Sequence, residues 1–152
     1  MEPFPHHYLV TASATSESHV SLKAEDVREI VSAPPAEFGG PGDKWSPESL
    51  LVAAVADCFI LSFRAIARAS KLEWSDLRCE ASGTLDRVDR VTRFTAISVK
   101  ATLELPAAED DAAAAANVEK AEKLLHKAEA SCLITNSLIA DSSLSTEISV
   151  AG

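Results

Sequence analysis

Three residues of this chain carry thiols, Cys58, Cys79 and Cys132. A cysteine is a nucleophile only as its thiolate. A sulfur that attacks a peroxide becomes a sulfenic acid, which escapes further oxidation only if a second thiol condenses with it. No two of the three have C-x-x-C spacing, so neither a zinc ribbon nor a thioredoxin-type site is indicated. The histidines His6, His7, His19 and His126 are scattered or lie in the chain start, and no metal site is expected from them. There is no G-x-G-x-x-G, Walker loop or H-E-x-x-H, so no cofactor is expected either. Cys79 shares a strand parity with Leu77 and Ala81 and reads as packing. For Cys58 and Cys132 residue type alone leaves packing and transient redox chemistry both open, because free cysteine is commonly buried.

The element that positions Cys58 runs from Trp45 to Ser70, W-S-P-E-S-L-L-V-A-A-V-A-D-C-F-I-L-S-F-R-A-I-A-R-A-S. Ser46 suits a helix cap, Pro47 the first helical position, and Glu48 the positive end of the dipole. From Leu50 to Phe63 only Asp57 and Ser62 interrupt the apolar run, so the helix is expected to be buried on nearly all sides. Cys58 sits too far along it for the helix dipole to act on the thiol, and Asp57 beside it should raise the thiol pKa.

Around this helix, Tyr8–Ala14, Val20–Leu22 and Glu29–Ser32 read as a small antiparallel meander with a turn at Thr15–Ser18. Ala33–Lys44 is a proline- and glycine-rich loop, either a site wall or a plain connector. After a break at Lys71–Asp76, Leu77–Val88 and Val91–Leu105 form a long hairpin about Asp89-Arg90. The apolar parity slips in the second arm, which predicts a bulge near Thr95–Ile97. Pro106 ends that strand, and Ala107–Ala116 contains the start of a helix. Val118, Ala121, Leu124, Leu125 and Ala128 give this helix its apolar stripe, with Glu119, Lys120, Glu122, Lys123 and Lys127 on the wet side. It runs into Ala130–Leu138, with Asn136 as a helix-end residue, and Thr146–Val150 closes the chain as a strand. Strands that do not alternate singly with helices define an α+β class.

The 152 residues suit a single domain, residues 1–152, with a real core. A formal charge of −9 argues against nucleic acid or an anionic membrane as partner. Met1–Val10 does not read as a leader, and the Leu50–Phe63 run falls short of the roughly 20 apolar residues of a membrane span. A cytoplasmic location is therefore expected, where three cysteines do not form a disulfide framework.

Two blocks, S-P-E-S-L-L-V-A-A-V-A-D-C-F at Ser46–Phe59 and A-S-C-L-I-T-N-S-L at Ala130–Leu138, give the sequence a family likeness. Between them, G-T-L-D-R-V-D-R-V-T-R-F-T-A-I-S-V fits the same pattern. In this order and spacing, from about Glu37 to Val150, the chain resembles the OsmC/Ohr family of thiol-dependent hydroperoxide reductases. The resemblance implies antiparallel sheets packed on a long buried central helix, in an intertwined homodimer. It implies that Cys58 attacks an organic hydroperoxide and that Cys132 resolves the sulfenic acid as a disulfide. A dithiol, often lipoyl-linked, then reduces that disulfide, and the activity serves as an antioxidant response to oxidative stress.

In that family an arginine in an N-terminal strand turn stabilises the thiolate and is held by a glutamate that Glu48 matches. Ten residues of helix place Glu48 about 15 Å from Cys58 along the axis, so it cannot serve the thiol of its own chain. It can serve a partner's Cys58 if two such helices cross antiparallel, so the role that the resemblance implies for Glu48 becomes a geometric argument for an obligate dimer. The arginine has no counterpart in Ala14–His19. Arg28, Arg64 and Arg68 are the substitutes on hand, though Arg64 lies on a different helix face from Cys58. A scaffold without this arginine has an alternative reading, a small-molecule-binding or redox-sensing dimer in which the cysteines mainly pack. Trp45 suits a site mouth, a dimer anchor or simple packing.

Overall fold

A computed structural model describes residues 1–152, which form two compact units, Met1–Leu51 and Val52–Gly152. In the first unit, β1 (Thr11–Ser13), β2 (Val20–Lys23) and β3 (Ile30–Ser32) make an antiparallel meander in that order. Its first strand is much shorter than the expected Tyr8–Ala14, and Tyr8, Leu9 and Val10 are exposed. The Pro- and Gly-rich segment then makes a single 3-10 turn at Ala36–Phe38, ended by Gly39 in the left-handed region (φ 81°). Ala33 N–H donates to the Trp45 carbonyl at 2.9 Å, tying the two ends of this loop together.

Helix α1 (Pro47–Ala69) begins in the first unit and forms the core helix of the second. Its start is a reciprocal cap. Ser46 Oγ accepts from Ser49 N–H at 3.1 Å, and Ser49 Oγ accepts from Ser46 N–H at 2.9 Å. Serine thus takes the role that glutamate or glutamine has in the usual capping box. One stripe, Val55, Phe59, Phe63 and Ala67, repeats every four residues and is buried. The expectation of burial on nearly all sides is corrected. The opposite face is only half covered, and Leu61 is 51% exposed, because the buried stripe alone packs against the core of the second unit. At 23 residues, with mean hydropathy 2.1 over its most apolar window, α1 is also long and apolar enough to cross a membrane. The shorter span read from the sequence missed this, since the helix continues past Phe63. Its buried stripe nonetheless packs in a globular core.

That core is closed by β4 (Asp76–Val88), β5 (Val91–Leu105), α2 (Asp111–Ser131) and β6 (Asp141–Val150). Ile97, Val99, Ala101, Leu103 and Leu105 of β5 face it, together with Ala121, Leu124, Leu125 and Ala128 of α2. Trp74 meets Phe63 edge-on at 5.6 Å between ring centroids. The hairpin turns at Asp89 and Arg90, both at positive φ (51° and 67°), the geometry that matches strand twist in a two-residue turn. Thr84 pairs with Ala96 and Leu85 with Phe94, so Thr95 is the extra residue of a bulge, within the stretch where the parity slip predicts one.

Strand order in this sheet is β4-β5-β6, with β6 parallel to β5. The sheet is thus mixed rather than wholly antiparallel, and β6 starts five residues before the expected Thr146. A return through α2 brings the chain back to the same end of the sheet, which makes the last pairing parallel. Asp110 caps α2 by accepting from Ala113 N–H at 2.7 Å. Thr146 on β6 donates to both oxygens of Glu122 on α2, at 2.9 and 2.7 Å.

Candidate functional site

The helix expected to run through Ala130–Leu138 stops at Cys132. This residue has extended backbone (φ −64°, ψ 106°), ends α2, and starts a separate four-residue turn, α3 (Leu133–Asn136). The first amides of a helix have no partner within it, so the break leaves the Leu133 and Ile134 N–H groups free to donate elsewhere. Both act on Cys58. Asn136 is the last residue of α3, as expected, and its side-chain amide donates to the Ala130 carbonyl at 3.1 Å across the break.

Cys58 and Cys132 meet here. The Cys132 side chain is 1% exposed, and its sulfur accepts from the Thr135 hydroxyl at 3.3 Å. Cys58 is half-buried, with its sulfur 3.9 Å from Ser62 Oγ one helical turn on. Burial pushes the Cys58 thiol pKa up. Against this, the Ile134 N–H, the Cys132 thiol, the Ser62 hydroxyl and the Leu133 N–H all favour the thiolate, and the balance lies below the ordinary value. The expectation that Asp57 would raise this pKa is therefore corrected: hydrogen bonds to the sulfur outweigh burial, and Asp57 is not among the groups that move it. Neither Arg28, Arg64 nor Arg68 acts on this sulfur. Arg64 and Arg68 instead line a separate concavity with Trp74. The groups that lower the Cys58 pKa are thus two backbone amides, the Cys132 thiol and the Ser62 hydroxyl, with no arginine among them. Nothing in the residue string reveals this, because it depends on where the α2–α3 break faces.

Cys79 faces the core from β4, and burial raises its pKa to about 11, with Cys132 and Glu80 adding smaller upward pushes. It is a packing thiol, protonated at neutral pH.

The Cys58 sulfur opens on a concavity of about 430 Å³. Its floor is the helix stripe Ala54, Asp57, Cys58, Leu61 and Ser62, spaced i, i+3, i+4, i+7, i+8, and its wall is Leu133 and Ile134 of α3. This lining suits a small apolar molecule that brings one polar atom to the thiol.

Glu48 is not in this concavity. It lies in the first turn of α1 and lines a different hollow of about 500 Å³, within the first unit, among Val20, Leu22, Pro35, Phe38 and Leu50. Its Oε2 is shut off from water and has no hydrogen-bond partner in the chain. Trp45, half-exposed, holds the loop through its backbone rather than facing Cys58's concavity. No cluster of three metal-ligating side chains exists.

Fold and sequence together define the class. The OsmC-like protein family model matches residues 40–147, and the chain belongs to that family. Among its relatives, the uncharacterised protein YmaD of Bacillus subtilis is 33% identical over 118 residues, covering 76% of this chain and 75% of YmaD. An OsmC-like protein of unknown function from Vibrio cholerae superposes with a TM-score of 0.80 at 18% identity, over 95% of this chain and all of the other. An organic hydroperoxide resistance protein from Legionella pneumophila gives 0.70 at 22% identity, over 96% and 100% of the two chains. At these identities the two structures support the shared fold.

Proposed function

We propose that this chain is a thiol-dependent peroxidase that reduces organic hydroperoxides in the cytoplasm. The Cys58 thiolate attacks the distal peroxide oxygen, the O–O bond breaks, and the departing alkoxide takes a proton from water to leave as an alcohol. Cys58 is then a sulfenic acid. The Cys132 sulfur attacks it, a disulfide forms and water leaves. An external dithiol, of the lipoyl type, reduces the disulfide and is itself oxidised to a cyclic disulfide. The observation that carries this reading is that Cys132 lies beside Cys58 and is among the groups that lower its thiol pKa. The apolar concavity suits the organic part of the peroxide.

The working form is a homodimer in this reading. The half-covered face of α1 and the unpartnered Glu48 carboxylate oxygen support it, since a buried polar atom without a partner calls for one. Glu48 of one copy then organises the Cys58 site of the other. The test is consumption of cumene hydroperoxide under a dithiol, followed by peptide mapping. A Cys58–Cys132 disulfide in protein quenched after substoichiometric peroxide supports the reading, and reduced thiols with unconsumed peroxide refute it.

A further inference from the structure

Cys132 holds the place of an N-cap at the start of α3, yet its sulfur caps no backbone N–H. A serine there would accept from the amide two or three residues on. Here the third residue supplies a side-chain donor instead. The Thr135 hydroxyl donates to the Cys132 sulfur at 3.3 Å. Residues three apart in a helical turn lie on the same side, which brings this hydroxyl back over the sulfur. The turn that carries Thr135 is itself tied down. Asn136 N–H donates to the Cys132 carbonyl at 2.9 Å, and the Asn136 side chain to the Ala130 carbonyl at 3.1 Å. Leu138 N–H donates to the Thr135 carbonyl at 3.1 Å. Cys132 is 1% exposed, so its sulfur has no bulk water to take the place of this hydroxyl.

We propose that Thr135 holds the Cys132 sulfur in position for its attack on oxidised Cys58. The proposal rests on the peroxidase reading for the oxidant and deepens it by naming what readies the resolving thiol. In that step a bond forms between the two sulfurs, and the S–O bond of the sulfenic acid breaks. The departing hydroxide takes the Cys132 proton and leaves as water. An unrestrained cysteine samples three staggered χ1 wells, and attack needs the one that keeps the sulfur beside Cys58. The Thr135 hydroxyl restrains the sulfur, and threonine, stiff at χ1, is a fixed anchor for it. Charge that gathers on the buried sulfur as its proton leaves then meets a donor rather than the apolar core.

The experiment compares wild type, Thr135→Val, which loses the hydroxyl, and Thr135→Ser, which keeps it. Each pre-reduced protein meets one equivalent of cumene hydroperoxide. Peroxide loss and the Cys58–Cys132 disulfide are followed separately, by rapid quench and peptide mapping. In a second arm, dithiobis(nitrobenzoate) converts Cys58 to its mixed disulfide with thionitrobenzoate. Attack by Cys132 then forms the same protein disulfide and releases a second, coloured thionitrobenzoate, with no peroxide involved. Thr135→Val should slow this second release, and disulfide formation relative to peroxide loss, by at least about three-fold, as freeing two further rotamers does. Thr135→Ser should restore both. A second release at the wild-type rate in Thr135→Val overturns the proposal whatever happens to peroxide, and leaves the hydrogen bond a merely structural one. Thr135→Ser as slow as Thr135→Val, or no second release in wild type, overturns it as well. A slowed second release in proteins that consume no peroxide keeps the role of Thr135 and removes the peroxidase reading.

Discussion

Cys132, at the point where α2 breaks and α3 begins, neighbours the Cys58 sulfur and is among the groups that hold its thiol pKa below the ordinary value. Ile134 and Leu133, the first residues after the break, also lower that pKa through their N–H groups. One backbone feature thereby brings the second thiol close and stabilises the first as a thiolate.

The first prediction concerns pH. Cys58 alkylation by iodoacetamide should show a midpoint below 9, the ordinary value for such a thiol, and Cys132→Ala should move it upward by removing a donor. The linked stability follows the sign of the shift. A thiol whose folded pKa is lowered contributes stability fully above its unfolded pKa, and that contribution is lost as pH falls through the folded pKa. Cys79 behaves oppositely, with a contribution complete below 9 and lost as pH rises toward about 11. Urea melts of Cys58→Ser and Cys79→Ser against wild type across this range measure both signs.

The second prediction separates the roles of the two thiols. In Cys132→Ser, Cys58 sulfenic acid should persist long enough to be trapped by dimedone and should pass to the sulfinic acid with excess peroxide. Intact-mass spectra should show the corresponding two-oxygen adduct on Cys58, and wild type should show the disulfide instead.

The third prediction concerns Glu48. Glu48→Gln should slow peroxide reduction at least ten-fold while leaving the fold intact. Mixed with inactive Cys58→Ser and allowed to exchange subunits, it should give a heterodimer with one fully wild-type site. In a 1:1 mixture at exchange equilibrium, where about half of the dimers are mixed and each has one working site of two, activity rising toward about a quarter of the wild-type level is the expected outcome. Additive, unrescued activities in the mixture speak against a Glu48 that acts across copies.

The fourth prediction concerns the hairpin. Gly83 on β4 lies under the Phe94 ring, and a Cβ there would stand 2.7 Å from Phe94 Cε1 and 3.1 Å from Val52 Cγ2. Gly83 is the strand glycine that permits this close approach. Gly83→Ala should therefore cost about 1–3 kcal/mol of stability, as overpacking does, read as a lower urea midpoint with unchanged slope.

Much of this architecture is legible in the residue string where local chemistry decides. Ser46-Pro47 marks the start of α1, Asp89-Arg90 the hairpin turn, the parity slip the bulge at Thr95, and Ala121–Ala128 the buried stripe of α2. Features set by distant parts of the chain are not legible. The parallel pairing of β6 depends on the return path through α2. The coverage of α1 depends on which of its faces packs against the core of the second unit, which composition does not state. The Cys58–Cys132 pairing entered through family likeness, and the spacing of the two residues says nothing about their contact. The amide donors are further from view, since Leu133 and Ile134 read as ordinary apolar helix residues until the break at Cys132 frees their N–H groups.

The most direct measurement is stopped-flow reduction of cumene hydroperoxide by pre-reduced wild type and Cys58→Ser in a single turnover. Rapid loss of one peroxide per chain in wild type, with formation of the Cys58–Cys132 disulfide and no such phase in Cys58→Ser, is the predicted result. Equal, slow rates for the two proteins would contradict it.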